Sequence, residues 1–372
     1  MKRLLLVGGG HAHVEVLRRF GRAPLPGVEL VLVSPHRLTP YSGMLPGLVA
    51  GHYDHAAVHI DLERVSRFAG ARFLTTLVAA VDPRRRVATL ADGRALEFDL
   101  VSLDVGSAAA TAGVAGAAEH AVGVKPVDRF LHAWDAWRAR ARAGTLRQLL
   151  VVGGGAAGVE TILAMHHRLA RETGRDDAVT CALATDVDRL LPMHPPRVQQ
   201  ILGRILGERG MRLHLATPAA RVEPGAMIAA TGERIPADAI VWATGAAALP
   251  WLRELGVALD AAGFVAVNES LQSISDERVF AAGDCATMIG HPRPRSGVFA
   301  VRQGPPLAAN LHAALEGKRL ARHVPQERAL ALISTGDRYA VASRGAWVAE
   351  GRWVWRWKDW IDRRFVRRYA AL

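Results

Sequence analysis

Cysteine is almost missing from this chain of 372 residues: Cys181 and Cys285 are the only two, far apart and in no CxxC pair. That excludes a disulfide framework and a local dithiol site, and it points to a reducing, cytoplasmic compartment. Long apolar runs are missing as well. No stretch approaches the roughly 18 uncharged apolar residues that a membrane-spanning helix needs. The longest uncharged window, residues 105–118, is rich in Ala and Gly and reads as loop and domain crossing. The first apolar run stops at Gly8, too short for the core of a secretory signal. Metal-ligand spacing is also lacking. His52, His55 and His59 share a loop after Pro46, but no carboxylate or Cys pattern completes them. They are expected at the surface or in a substrate loop, and no metal is expected. No Ser/His/Asp constellation stands out, so no catalytic side chain is assigned.

Acidic residues are in deficit: 35 Asp and Glu face 47 Lys and Arg, a net charge of +12. The deficit is uneven. Residues 317–372 hold 13 Lys and Arg against 5 Asp and Glu. A basic tail of this kind suits attachment to acidic lipid, nucleic acid or a partner.

What the chain does have is two glycine-rich turns, each closing a short apolar run. Leu4-Leu5-Leu6-Val7 leads into Gly8-Gly9-Gly10, and Leu149-Leu150-Val151-Val152 into Gly153-Gly154-Gly155-Ala156-Ala157-Gly158. A strand that turns through glycines into a helix presents free backbone N–H groups to a pyrophosphate. One such turn is weak evidence. Two imply two dinucleotides, and two dinucleotides side by side suggest electron transfer between them. Half of the residues are hydrophobic, enough for a sizeable core.

Around the first turn the pattern predicts a βαβ unit: strand 3–7, helix 12–20, strand 29–33. A Pro/Gly-rich loop follows over 35–51, then strands over 71–81, 86–90 and 98–103. A charged helical connector spans about 121–147, with Trp134 and Trp137 one turn apart. The second βαβ unit has strand 148–152, a helix to about 172 and strand 179–184. A helix over 195–209, strands ending at Gly245 and Asp284, and a long helix over 298–316 complete the dinucleotide-binding part.

Together the two turns, Ala243-Thr244-Gly245 and Phe280-Ala281-Ala282-Gly283-Asp284 resemble the FAD-dependent pyridine-nucleotide oxidoreductases, in that family's order and over about residues 1–315. Within that group the chain looks most like type II NADH dehydrogenases and sulfide:quinone reductases. It is similar above all to the flavoprotein unit sometimes fused to selenophosphate synthetase, through Gly8–Val14, Pro40–Gly47, Ser102–Ser107 and the Trp-rich end. The resemblance implies an α/β fold of two Rossmann-like dinucleotide-binding domains, one inserted in the other, plus a small C-terminal α+β unit. The boundaries it implies are residues 1–115 and 263–322 for the FAD domain, 116–262 for the NAD(P) domain and 323–372 for the C-terminal unit. It implies an enzyme that takes hydride from NADH or NADPH onto FAD and passes electrons to a quinone or another small two-electron acceptor. The alternatives are a sulfur- or selenium-linked flavoprotein and a redox-silent nucleotide-binding module.

FAD is expected on Gly8, Gly10, His11, Ala12, Ser34, Pro35, Val78, Gly106, Gly283 and Asp284. Ser34 stands where the family usually has a ribose-binding acid, Val78 where backbone meets adenine, and Asp284 where an Asp binds the ribityl chain. His13 replaces the third glycine of the fingerprint and reads as a helix-packing residue. The bland alternative for Asp284 is a helix cap. The nicotinamide nucleotide is expected on Gly153, Gly155, Ala156, Gly158, Thr185 and Gly245, and Thr185 leaves NADH against NADPH open. The helix after Ser296 is expected to aim its positive end at the flavin. The two quinone-side glutamines of type II NADH dehydrogenases align with Val298 and Arg302, with Gln303 one place off. Cys285 is expected to pack near the cofactor. Lys125 and Arg295 are either near the flavin or solvated.

In the tail, residues 353–357 alternate like a strand and 358–369 read as a helix. Tryptophan interleaved with arginine suits a membrane interface, the inner face of the membrane in this case. It suits equally a packed surface or a homodimer contact. Nucleic acid is not expected as a partner.

Overall fold

Lys2–Val7 becomes a central strand because Leu4 to Val7 carry no polar side chain and bury both faces. In the computed structural model, which describes residues 1–372, this strand is third in a five-stranded parallel sheet. The order is 279–281, 100–103, 2–7, 28–34, 72–75. A second parallel sheet repeats the plan with residues 122–123, 239–242, 148–152, 180–184 and 212–214. In each, the glycine turn follows the central strand, where the strand order reverses and a crevice opens. Each sheet is joined by a three-stranded antiparallel meander, 78–82, 87–90 and 95–97 in one case and 219–223, 226–229 and 234–236 in the other.

Helix α1 (His11–Arg22) follows the first turn and α2 (Val127–Arg142) precedes the second sheet's central strand. Helix α3 (Ala156–Thr173) follows the second turn and stops at Gly174, whose φ of 74° suits glycine. Helix α4 (Gly297–Leu315) packs along α1. The chain passes between the two sheets twice, and the passages pair as the short antiparallel strands Ala108–Ala109 and Ala246–Ala247. The window expected to be plain loop thus carries a ladder. The connector expected as helix from about 121 starts with a strand, Val122–Gly123, because the helix waits for Pro126. The single strand expected over 71–81 is two, Arg72–Thr75 and Val78–Asp82, which belong to different sheets.

The C-terminal unit has an antiparallel sheet of Ala331–Ser334, Ala340–Arg344 and Trp347–Gly351, then helix α5 (Arg352–Ala370). The alternating segment 353–357 is helical, which corrects the expected strand. A spacing of four serves both periods: Trp353 and Trp357 stack on one helix face, with centroids 6.5 Å apart. The strand ends earlier, at Gly351, whose φ of 141° favours glycine.

Helix α5 and its sheet tie the two halves together. Phe365, Val366 and Tyr369 join the apolar core of the first sheet, whereas Ile333 and Val341 join that of the second. Polar bonds fix the same junction. Tyr369 donates to Glu15 Oε2 at 3.0 Å, and Glu160 on α3 accepts from the Ser334 N–H at 2.7 Å. Lys358 Nζ, buried, donates to Asp362 at 2.7 Å and to the Gly43 carbonyl at 2.5 Å. Burial alone would push this ammonium's pKa down, but Asp362 and Glu160 outweigh it and hold it above the usual lysine value.

Removing one partner of a buried pair strands the other, at a cost of about 3–5 kcal/mol. Lys358→Met should therefore lower the urea-unfolding free energy by about that amount, while Trp353→Ala on the exposed face should change it by less than about 1 kcal/mol. Equal, small effects from both would contradict the stapling role of α5.

Candidate functional site

The first glycine turn is tight because a strand end presses on it. A Cβ on Gly8, at φ 93°, would lie 2.4 Å from the Asp104 carbonyl oxygen, and one on Gly10 would lie 2.2 Å from the Asp104 carboxylate. Behind the turn His13 is fully buried. Its Nδ1–H donates to the Gly8 carbonyl at 2.7 Å, so Nε2 accepts from the Ser102 hydroxyl at 2.9 Å. Burial lowers its pKa to about 4, so the ring is neutral. His13 thus locks α1 to the sheet through hydrogen bonds where a third glycine would have allowed bare packing.

A cleft of about 330 Å³ runs along this turn. Gly8, Gly10, His11, Ser34, Pro35, Val78, Gly106 and Asp284 all line it. Ala12 and Gly283 lie just behind its wall: the Ala12 N–H donates to Asp104 Oδ2 at 2.8 Å, and the Gly283 N–H donates to Gln303 Oε1 at 2.7 Å. Lys125 and Gly297, the first residue of α4, line the cleft as well. The glycine crowding and the lining drawn from the first turn and from the start of α4 fit a dinucleotide whose pyrophosphate lies against the turn. His11 is neutral there as well, its pKa lowered to about 4 by burial, and it faces Tyr41 edge-on at 5.4 Å.

Asp284 caps no helix. Its carboxylate accepts from the Ser107 hydroxyl at 3.2 Å and pairs with the Lys125 ammonium. Arg295 donates to the Asp284 carbonyl and to Thr287, and lies 3.3 Å above the Phe264 ring. Neither cation is therefore a freely solvated surface charge. Gln303 is spent on the Gly283 backbone. Cys285 is fully buried, bonded to the Leu103 and Ala282 carbonyls, and burial pushes its thiol up to about 12. Cys181 is also buried and raised to about 12.

The second turn is built alike but stands open. Gly153 has φ 128°, and a Cβ on it would lie 2.5 Å from the Ala243 carbonyl oxygen. A Cβ on Gly158 would lie 1.9 Å from the Gly153 oxygen, so this position requires glycine for α3 to pack. Gly155, the N-cap of α3, and Gly245 are exposed with nothing in front of them, and Ala156 begins the helix. Thr185 is buried, its Oγ against Gly154 and 3.4 Å from Asp186 Oδ1. It fills space beneath the turn and leaves Asp186 as the polar group at the strand end.

The histidine loop differs from expectation. His59 is buried and stacks on His55 with centroids 3.7 Å apart, and His52 donates to or accepts nothing from either: its Nε2–H reaches the Gly336 carbonyl at 2.7 Å. The rings knit loop to neighbouring elements and share no common centre. The sequence reading missed Asp104 and Gln303 as residues of the turn. A carboxylate directly after the fully buried strand Leu100–Leu103 was the available sign for Asp104.

Residues 2–304 match the pyridine nucleotide-disulphide oxidoreductase family, and the chain belongs to it. It is an FAD- and pyridine nucleotide-dependent oxidoreductase. It is 25% identical over 337 residues to the NADH dehydrogenase-like protein YutJ of Bacillus subtilis, covering 88% of this chain and 87% of that one. It is 23% identical over 339 residues to the type II NADH:quinone oxidoreductase of Staphylococcus aureus, covering 85% and 83%. In fold it is similar to NDH2 of Plasmodium falciparum in complex with NADH (TM-score 0.83, 13% identity, 97% of each chain). It is likewise similar to the sulfide:quinone oxidoreductase of Aquifex aeolicus (TM-score 0.82, 16% identity, 99% and 91%).

Asp284→Ala should leave the circular dichroism unchanged and cut the FAD retained through gel filtration at least about tenfold, the scale of one lost charge-assisted bond. Full occupancy in that variant would remove Asp284 from the site.

Proposed function

We propose that the chain is an NAD(P)H:quinone oxidoreductase in which the first cleft holds FAD and the second turn holds the nicotinamide nucleotide. The observation that carries this reading is the repeated construction: two central strands, each ending in a crowded glycine turn, in one chain whose halves are linked by paired crossing strands. The FAD contacts proposed are Gly8, Gly10, His11, Ala12, Ser34, Pro35, Val78, Gly106, Gly283 and Asp284. Those for the nucleotide are Gly153, Gly155, Ala156, Gly158, Thr185 and Gly245. The proposed domain limits are 1–115 with 263–322, 116–262, and 323–372.

The flavin, when bound, supplies the two-electron chemistry, taking hydride from the nicotinamide and returning electrons to an acceptor. The chain's own task is to bind and orient. The N-terminus of α4 reaches the cleft at Gly297, where its dipole favours negative charge. Both thiols are buried and held protonated, which favours a quinone acceptor over chemistry routed through the chain's own sulfur.

The same reading includes attachment to an acidic membrane surface. No helix is long and apolar enough to cross a membrane. Helix α5 instead has two faces. Val354, Lys358, Asp362, Phe365 and Tyr369 pack inward, while Trp353, Arg356, Trp360, Arg364 and Arg367 are exposed. Indole with guanidinium on one exposed face suits the headgroup layer, at about 1 kcal/mol per basic residue at low salt.

Gly155→Trp fills only open space, so the fold should stand. The variant should keep its FAD and lose at least about a hundredfold in its rate of reduction by NADH, while dithionite still bleaches it. Unchanged reduction would move the nucleotide site elsewhere. Flotation with acidic liposomes should fall with added salt and with Trp353→Ala/Trp360→Ala. If the wild type fails to float, and the same double variant converts a dimer to a monomer, the exposed face of α5 covers a second copy.

A further inference from the structure

The two glycine turns differ in one respect that bears on how the cofactor is held. At the start of α3 no side chain accepts from the backbone N–H groups, and Gly155 faces open space. At the start of α1 the donors are already engaged. Asp104 Oδ2 accepts from the Ala12 N–H at 2.8 Å and the His13 N–H at 3.1 Å, and the Asp104 carbonyl accepts from the Gly10 N–H at 3.2 Å. The side chain is buried and wedged between the two turns assigned to FAD, since Cβ atoms on Gly10 and Gly283 would lie 2.2 Å and 2.5 Å from its oxygens. A carboxylate therefore occupies the positive helix end that a pyrophosphate would use.

We propose that FAD enters this cleft together with one proton, taken from solvent by Asp104, because an ionised carboxylate on the α1 donors stands against the cofactor's pyrophosphate. The proposal rests on the assignment of FAD to this cleft. Protonated, Asp104 sheds its charge, keeps one oxygen for the N–H groups and gains a hydroxyl to donate. The unliganded protein is already near this transition. Burial raises the Asp104 carboxyl to about 7, with Asp284 adding to the rise and the His13 and Ala12 N–H groups opposing it. Three of the surrounding titratable groups, His11, His13 and Cys285, stay constant near that pH. His11 and His13 on α1 are neutral with pKa values near 4, and Cys285 is held protonated with its pKa near 12. Asp284 is paired with Lys125 from the crossing segment.

The sign follows from linkage. Added phosphate charge raises the Asp104 pKa further, so binding takes up a proton wherever the free protein is ionised, above about 7, and takes up none below.

Holoprotein is diluted at pH 6 to 9 and released FAD is read by its fluorescence. The wild-type dissociation constant should be flat below about pH 7 and then weaken roughly tenfold per pH unit. Asp104→Asn, which keeps an acceptor for both N–H groups, should be nearly flat and tighter than wild type at pH 9. Asp104→Ala, which frees both donors, should behave alike, so a folding defect in one variant leaves the other to decide. A flat wild-type profile, or wild-type and variant profiles that superimpose, would overturn the proposal while leaving FAD in its cleft. A wild type that releases no FAD because it holds none would overturn the FAD assignment itself.

Discussion

In each half of the molecule the glycine turn presses against the backbone that leaves the neighbouring strand. Gly8 meets Asp104 and Gly153 meets Ala243, each at a distance that no Cβ could share. Everything near the cofactor depends on this crowding. It turns the chain sharply off the central strand and starts a helix there, with its first N–H groups open at α3 and held by Asp104 at α1. It also places that start where the strand order reverses and a crevice must form. The construction appears twice, once in each half.

Holding the crevices at a fixed relation is a separate problem. The tail solves it from outside the repeats. Helix α5 gives its apolar side to the first core while the strands before it give theirs to the second. The buried Lys358–Asp362 pair and the Tyr369–Glu15 bond set the position of that helix. The Trp and Arg side chains left on its outer face are then free for another task. The tail's packing and its surface role are thus compatible, being opposite sides of one helix.

The local elements were legible in the sequence wherever one rule acted alone. The strand over Gln148–Val152 and the helix after it follow from an apolar run and a glycine turn, and the structure places them as read. Reading faltered where two periods coincide. Trp353 and Trp357 fit a strand and a helix face equally, and Gly351 decides between them through its backbone angle. It faltered also where partners are remote. Lys125 finds Asp284 159 positions away, and His13 finds Ser102 89 away, so neither bond leaves a local trace. Asp104 is the sharpest case: an acid after an apolar strand looks like a solvated turn, and only the fold brings it onto the α1 N-terminus.

The central claim is that electrons pass from a nicotinamide bound at the second turn, through FAD in the first cleft, to a quinone. The direct measurement is anaerobic stopped-flow absorbance of the holoprotein, mixed first with NADH or NADPH and then with a short-chain quinone. The account predicts loss of the oxidised flavin band on the first mixing and its full return on the second, one quinone reduced per flavin. A flavin band that survives both nucleotides, or that stays bleached in the presence of quinone, would contradict it.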